Sequence, residues 1–286
     1  MIGESTGSGS SPWVVVCDGE GMARATWQMN HQRQGTGSPL LLVHGLGSTW
    51  RSWDPVLPGL SAQREVVAVD LPGFGGTPPL PGEVSIATLA DALAAFIDAE
   101  GLAGIDLVGS SVGGRLVLEL ARRGVGGHAV ALDPGGFWTP RQVKVFGATI
   151  GASIRLVRLL RPALPALTGN PVSRTALLAQ LSPRPWELPG DLVLRELRGW
   201  VAAPSYDPLL KALVHGPVQE GAAAGSTPGR VVIGWGRKDR VTTPSQAAVA
   251  TERFPGARLH WFESCGHFPM WDRPEETVRL VLDSTS

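Results

Sequence analysis

The sequence predicts an α/β fold: a mostly parallel β-sheet with helices on both faces and one inserted helical block. Three observations carry this. Short apolar runs of strand length alternate with stretches of helical apolar spacing. Between Pro134 and Pro228 the alternation stops, prolines become frequent, and only helical spacing remains. Beyond Pro228 the alternation resumes and continues to the C-terminus.

Taken in order, Val14–Val16 and Ala25–Gln28 are expected to form an opening antiparallel pair. Leu40–Val43 is a buried strand that stops at His44-Gly45, and Val66–Val69 is the next, ending at Asp70. Ser85 has the character of an N-cap. Ile86, Leu89, Leu93, Phe96 and Ile97 follow it at helical spacing, and Gly101 marks the end. Ile105–Val108 is a strand that runs into Gly109-Ser110-Ser111-Val112-Gly113-Gly114 and then into a helix, and Ala129–Leu132 closes this half. In the middle block Phe146, Ile150, Ile154, Val157 and Leu160 form one amphipathic stripe. After it come a strand at Arg230–Trp235, a helix at Pro244–Arg253 capped by Thr243, a strand at Arg258–Phe262 and a helix at Pro274–Leu282. The division is therefore a Gly/Ser-rich tail at 1–12, a core from 13–133 and 229–286, and a helical cap at 134–228.

Composition narrows the function. Apolar residues make up 43% and charged residues 17%, which suits a core-forming chain, and the formal net charge is zero. Bulk charge thus gives no reason to expect nucleic acid or an anionic membrane as partner. Neither a leader nor a membrane-spanning stretch is predicted, and two distant cysteines, Cys17 and Cys265, make no disulfide framework. A cytoplasmic location is the expectation. Oligomeric state is not readable. No metal-ligand spacing is found, and His44-Gly45-Leu46-Gly47 lacks the full dinucleotide glycine pattern, so neither metal nor cofactor is expected.

The chemistry begins at Ser111. Acyl transfer through a serine needs a nucleophile, a base, an acid that orients the base, and donors for the oxyanion. Gly109-Ser110-Ser111-Val112-Gly113 is G-x-S-x-G in the strand–turn–helix setting that this motif requires. The chain must turn sharply at the serine, so bulky neighbours two positions away would clash. Ser110 fails that test, being flanked by Val108 and Val112. The loop after Leu40–Val43 and the residue after the nucleophile place the backbone N–H groups of Leu46 and Val112 as oxyanion donors.

Five segments carry a family resemblance: HGLGSTWRSW at 44–53, VDLPGFGGT at 69–77, GSSVGG at 109–114, GWGRKDRVTTP at 234–244 and GHFPMWDRPEE at 266–276. They resemble the α/β-hydrolase family, in particular its lidded, esterase-like members. The resemblance implies the α/β-hydrolase fold, a mostly parallel eight-stranded sheet with an inserted helical cap, and a triad in the order Ser, acid, His. Asp239 stands where the family carries its acid, with Asp133 as the position some relatives use instead. His267 stands where the family carries its base. His44 is similar to the family's loop-ordering histidine, and Asp70 to a structural residue.

For substrate, the leading expectation is a small to medium, moderately hydrophobic carboxylic ester, thioester or lactone, cleaved through an acyl-enzyme on Ser111. A Ser-dependent C–C bond hydrolase of ring-cleavage diketones is the alternative. A third reading is a fold relative that senses ligand without turnover. Trp138, Phe146, Trp186, Leu209 and Leu210 are candidate pocket residues. The cap holds ten Lys/Arg against five Asp/Glu, with Arg155, Arg158 and Arg161 near one helix face; a solvated outer surface is the simplest use of that excess.

Overall fold

The computed structural model describes residues 13–17 and 23–286. The expected tail at 1–12 lies outside the described residues. Strands β1 (Trp13–Cys17) and β2 (Ala23–Trp27) form the expected antiparallel pair, as a separate two-stranded sheet. The main sheet holds β3 (His31–Gln34), β4 (Pro39–Val43), β5 (Glu65–Val69), β6 (Asp106–Ser110), β7 (Ala129–Leu132), β8 (Val231–Gly236) and β9 (Arg258–Phe262), in the order β3-β5-β4-β6-β7-β8-β9. Among the described residues it therefore has seven strands rather than eight, because the opening pair forms a sheet of its own. All pairings are parallel except β3 with β5.

Burial explains the strand sequences. Leu40, Leu41, Leu42, Val43 and the whole of β7 are buried, because helices cover both faces of the central strands. The edges are different. β3 reads His-Gln-Arg-Gln and leaves its last two residues exposed, and β9 opens on exposed Arg258. Polar side chains at an edge discourage pairing with another chain.

Helices α1 (Leu57–Ser61), α2 (Ile86–Ala99), α3 (Val112–Arg122), α9 (Gln246–Arg253), α10 (Pro269–Asp272) and α11 (Pro274–Ser284) belong to this core. Ser85 caps α2 as expected: its Oγ accepts from the Thr88 N–H, and its own N–H donates to Thr88 Oγ1. α9 starts two residues later than expected, with Ser245 rather than Thr243 before it. The Thr243 hydroxyl is instead engaged with Ser245 Oγ, 3.0 Å away.

Between β7 and β8 lie α4 (Pro140–Leu159), α5 (Leu164–Gly169), α6 (Pro171–Leu178), α7 (Gly190–Ala202) and α8 (Tyr206–His215). These form the inserted helical cap. The predicted stripe on α4 turns inward, since Phe146, Ile150, Ile154 and Val157 are buried. Arg158 on its outer side pairs with Asp207 at 2.9 Å, and Arg155 is exposed. Among the described residues no helix is long and apolar enough to cross a membrane.

Candidate active site

Ser111 sits in the one-residue gap between β6 and α3, with φ 58° and ψ −114°. A non-glycine residue held there is strained, and such strain persists only when the surroundings enforce it. The enforcement is visible in its glycines. A Cβ on Gly109 would lie 2.1 Å from the Gly113 carbonyl oxygen, and a Cβ on Gly113 would lie 2.0 Å from that of Val43. The turn is thus packed backbone against backbone, and it lifts the serine side chain clear of the sheet.

β8 and β9 deliver the other two groups. Asp239 follows β8, where its Oδ1 accepts from the N–H groups of Val241 and Thr242, and its Oδ2 from the Thr242 hydroxyl at 2.7 Å. His267 follows β9. Its Nδ1 is 2.8 Å from Asp239 Oδ2, and its Nε2 is 2.8 Å from Ser111 Oγ. Asp239 and His267 are both almost fully buried. The structure therefore brings the three sequence-selected groups into one hydrogen-bonded line. With Nδ1–H donated to the carboxylate, Nε2 is left as acceptor for the serine hydroxyl.

Asp133 is near this line without joining it. It has φ 45°, its Oδ1 accepts from the Gly236 N–H, and its Oδ2 has no partner on a described residue. Burial first, then the charge of Asp239, pushes its carboxyl well above the usual range. The shift disfavours the charged form of Asp133, as expected where two carboxyl groups share one buried space. Asp133, Asp239 and His267 offer atoms within 4.8 Å of one another, but the Asp239 oxygens and both His267 nitrogens are already engaged in the hydrogen bonds above.

The loop after β4 forms the opposite wall. A Cβ on Gly45 would lie 3.2 Å from Ser111 Cβ, so this loop passes directly over the serine. Leu46 and Val112 both line the cavity above Ser111, and neither backbone N–H meets an acceptor on a described residue. His44 orders the loop. Its Nδ1–H donates to the Gly45 carbonyl at 2.7 Å, and its Nε2 accepts from the Leu71 N–H at 2.9 Å. Burial lowers its pKa, which keeps the ring neutral for those two roles. Asp70 is likewise structural, accepting from the Trp50 and Gly76 N–H groups and the Asn30 amide. Cys265 is buried with its thiol pushed upward by burial, and it packs as a small apolar group.

Cap and core enclose a cavity of about 290 Å³ that ends on Ser111 and His267. Its walls are mostly apolar, from Phe146, Ile150, Val157, Leu181, Trp200, Val241 and Phe268, with Ser153, Gln180 and Tyr206 as polar members. Among the described residues no Lys, Arg, Asp or Glu lines it. Of the five expected pocket residues, Phe146 is on the wall. Trp138 stacks behind it at 5.0 Å, and Leu209, on α8, is buried away from the cavity lining. Leu210 lines a shallow groove between α4 and α8, and Trp186 is half exposed. Apolar character alone could not tell wall from packing. Ile150 and Val157, on the same stripe as Phe146, were the legible signal for the wall.

The sequence of residues 40–280 matches the model of the Alpha/beta hydrolase family. A 2-hydroxymuconate semialdehyde hydrolase of Pseudomonas putida is 30% identical over 278 residues, 92% of each chain. A 2-hydroxy-6-oxo-2,4-heptadienoate hydrolase of Pseudomonas putida strain F1 is 28% identical over 273 residues, 87% of this chain and 89% of its own. Among solved structures, a meta-cleavage product hydrolase from Pseudomonas fluorescens IP01 matches with a TM-score of 0.65 at 21% identity, over 89% of this chain and 93% of its own. That last likeness speaks to the fold. These findings overturn the expected ester, thioester or lactone and the carboxylesterase reading built on it. Both of these curated relatives, each matching more than four fifths of the chain, are named as hydrolases of hydroxy-oxo-dienoate or semialdehyde compounds, the class that stood as the alternative. The chain belongs to the alpha/beta hydrolase family.

Proposed function

We propose that the protein is a serine-dependent C–C bond hydrolase acting on a ring-cleavage diketone, with Ser111 as nucleophile, His267 as base and Asp239 as its orienting acid. The observation that carries this reading is the Asp239–His267–Ser111 line, with both hydrogen bonds at 2.8 Å, at the floor of an apolar cavity. The names of the two relatives above select the bond.

The chemistry follows from where electrons can go. In its keto form such a substrate has a ketone whose neighbouring carbon is conjugated, through a C=C, to a second carbonyl. His267 takes the Ser111 proton as Oγ attacks the ketone carbon. The Leu46 and Val112 N–H groups, with the N-terminus of α3, hold the oxyanion. Collapse breaks the C–C bond, and its electron pair passes through the C=C into the second carbonyl as a dienolate. His267 returns the proton to that fragment. Water, deprotonated by the same imidazole, then cleaves the acyl-enzyme ester to free a carboxylic acid and restore Ser111. Asp239 keeps the imidazole in the right tautomer throughout.

The cavity also orients the substrate. A carboxylate buried among apolar walls without a partner costs several kcal/mol. The charged end of a dienoate would therefore face the open side, by Ser153 and half-exposed Leu156, and the ketone's own substituent would point inward. At about 290 Å³ the space is at the low end for small-molecule sites, which favours a short substituent. We take 134–228 as the bounds of the cap that sets this size.

The test is loss of the visible colour of ring-cleavage products with alkyl and aryl substituents, by wild type and Ser111→Ala, beside simple esters. Bleaching by wild type alone, together with recovery of both fragments, supports the reading. Wild type that leaves every coloured substrate intact while it turns over esters would overturn it.

A further inference from the structure

Above the oxyanion loop the cap holds a carboxyl group that the mechanism does not use. Glu196, on α7, is 5% exposed, and its Oε2 accepts from the Ser48 hydroxyl at 2.6 Å. Ser48 is also buried, and its own N–H donates to the Gly45 carbonyl, closing the turn that contains Leu46 and Gly47. The same face of α7 continues onto this turn. A Cβ on Gly199 would lie 3.2 Å from the Gly47 carbonyl oxygen, and one on Gly47 would lie 2.7 Å from Trp200 Cδ1. Positions 196, 199 and 200 follow the i, i+3, i+4 spacing of one helix face. Gly47 has φ 79°, so the turn is both tight and closely covered.

We propose that Glu196 is a positioning residue for the oxyanion loop: by holding Ser48 across the joint between cap and core, it sets the direction of the Leu46 N–H. This deepens the proposed function and rests on its assignment of the oxyanion donors. A buried carboxyl with one hydroxyl partner is a poor device for stability alone, since its desolvation outweighs one hydrogen bond. It is a good device for direction, since a bond of this length is in the range of a hydroxyl donating to a carboxylate. The other groups around it are Arg195 on its own helix, Asp54 on the core side and the Trp200 indole. Arg195 and Asp54 pair with each other at 2.9 Å, so neither serves Glu196 as a dedicated partner. The cap is tied to the opposite side of the site as well, where the His267 N–H donates to the Leu181 carbonyl at 2.7 Å. The cap thus holds backbone on both sides of the reacting carbon.

The test compares Glu196→Met, Glu196→Gln, Ser48→Ala and the Glu196→Met/Ser48→Ala double variant on a coloured diketone. A substrate-like trifluoromethyl ketone, whose serine adduct carries an oxyanion, serves as the second probe. Glu196→Met and Ser48→Ala should each lower kcat by about 10- to 100-fold with little change in KM, as expected when a donor is misdirected rather than deleted. Affinity for the trifluoromethyl ketone should fall in parallel. The double variant should be no worse than either single one, because both remove the same tie. Glu196→Gln, which still accepts from Ser48, should recover most of the kcat lost in Glu196→Met. The ratio of wild-type to Glu196→Gln kcat should change between about pH 6 and 8, because only wild type carries a titratable group at position 196; burial pushes that carboxyl up to about 7. A constant ratio, additive losses, or a change in KM alone would overturn the proposal. Ser48→Ala removes one oxygen atom and keeps the test decisive if Glu196→Met does not fold. Ser111→Ala run alongside separates the two levels. Its activity would sink the reading of the site itself, whereas an inert Ser111→Ala with undiminished Ser48→Ala would sink only this inference.

Discussion

Glu196→Gln also has a consequence for stability whose size follows from the structure. Full burial is the largest influence on this carboxyl, and it raises the pKa from the ordinary 4.5 to about 7 against the lowering effects of Ser48 and Arg195. As pH rises past 4.5, the unfolded chain gives up this proton while the folded chain keeps it. Wild type therefore loses stability across that window and stops losing it above about 7, where both states are ionised. The interval corresponds to about 3 kcal/mol. The glutamine side chain of the variant does not titrate, so the variant should gain about that much on wild type between about pH 4 and pH 8, whatever other groups do over the same range. Urea unfolding of both proteins at the two pH values measures it as a difference of differences. Equal gaps at the acidic and the alkaline value would refute the reasoning, because they would mean that Glu196 ionises as it does in water.

Other predictions concern the turn, the triad and the cavity. Gly113→Ala should cost at least about 2 kcal/mol in urea unfolding, because its Cβ would lie 2.0 Å from a backbone oxygen that cannot withdraw. Asp239→Asn should lower kcat by about 10⁴ through the wrong imidazole tautomer, while Asp133→Asn, replacing a carboxyl whose charged form burial already disfavours, should cost less than about tenfold; steady-state kinetics on the diketone would rank them. Phe146→Ala should raise kcat/KM for an aryl ketone relative to a methyl ketone, since it removes a ring from the cavity wall. A substrate analogue whose carboxylate is replaced by a neutral amide should keep kcat/KM within about tenfold, because no Lys or Arg among the described residues lines the cavity.

What the sequence made legible was whatever sterics or chain order imposes. Ser111 could be chosen over Ser110 because only it has glycines two positions to either side, and the two backbone oxygens crowding Gly109 and Gly113 show why. The central strands were legible because burial on both faces leaves a continuous apolar run. β3 was missed because a four-residue polar edge strand carries no such run and is defined only by its partner β5. Most of the pocket was missed because helical spacing tells which face turns inward, but not which part of that face meets a cavity and which meets packed side chains. Trp138 and Phe146 are neighbours in one stack, and only one of them is on the wall. Glu196 was invisible for a related reason: its hydroxyl partner lies 148 positions away, and nothing in its own neighbourhood distinguishes it from a solvated cap glutamate.

The insertion of the cap between β7 and β8 also imposes a timetable. Register partners on those two strands, such as Ala129 and Val231, are about a hundred positions apart, whereas β4 and β6 pair over shorter separations. Contacts that close longer loops form later and more slowly. The half of the sheet that supplies Ser111 and the Leu46 loop can therefore assemble while β8 and β9, with Asp239 and His267 behind them, are still undocked. Such an intermediate would hold Ser111 without the imidazole partner of its hydroxyl. During refolding, hydrolytic activity should return in step with amide protection in β8 and β9, after β4, β5 and β6 are already protected, so that competence is acquired with the last strands to join.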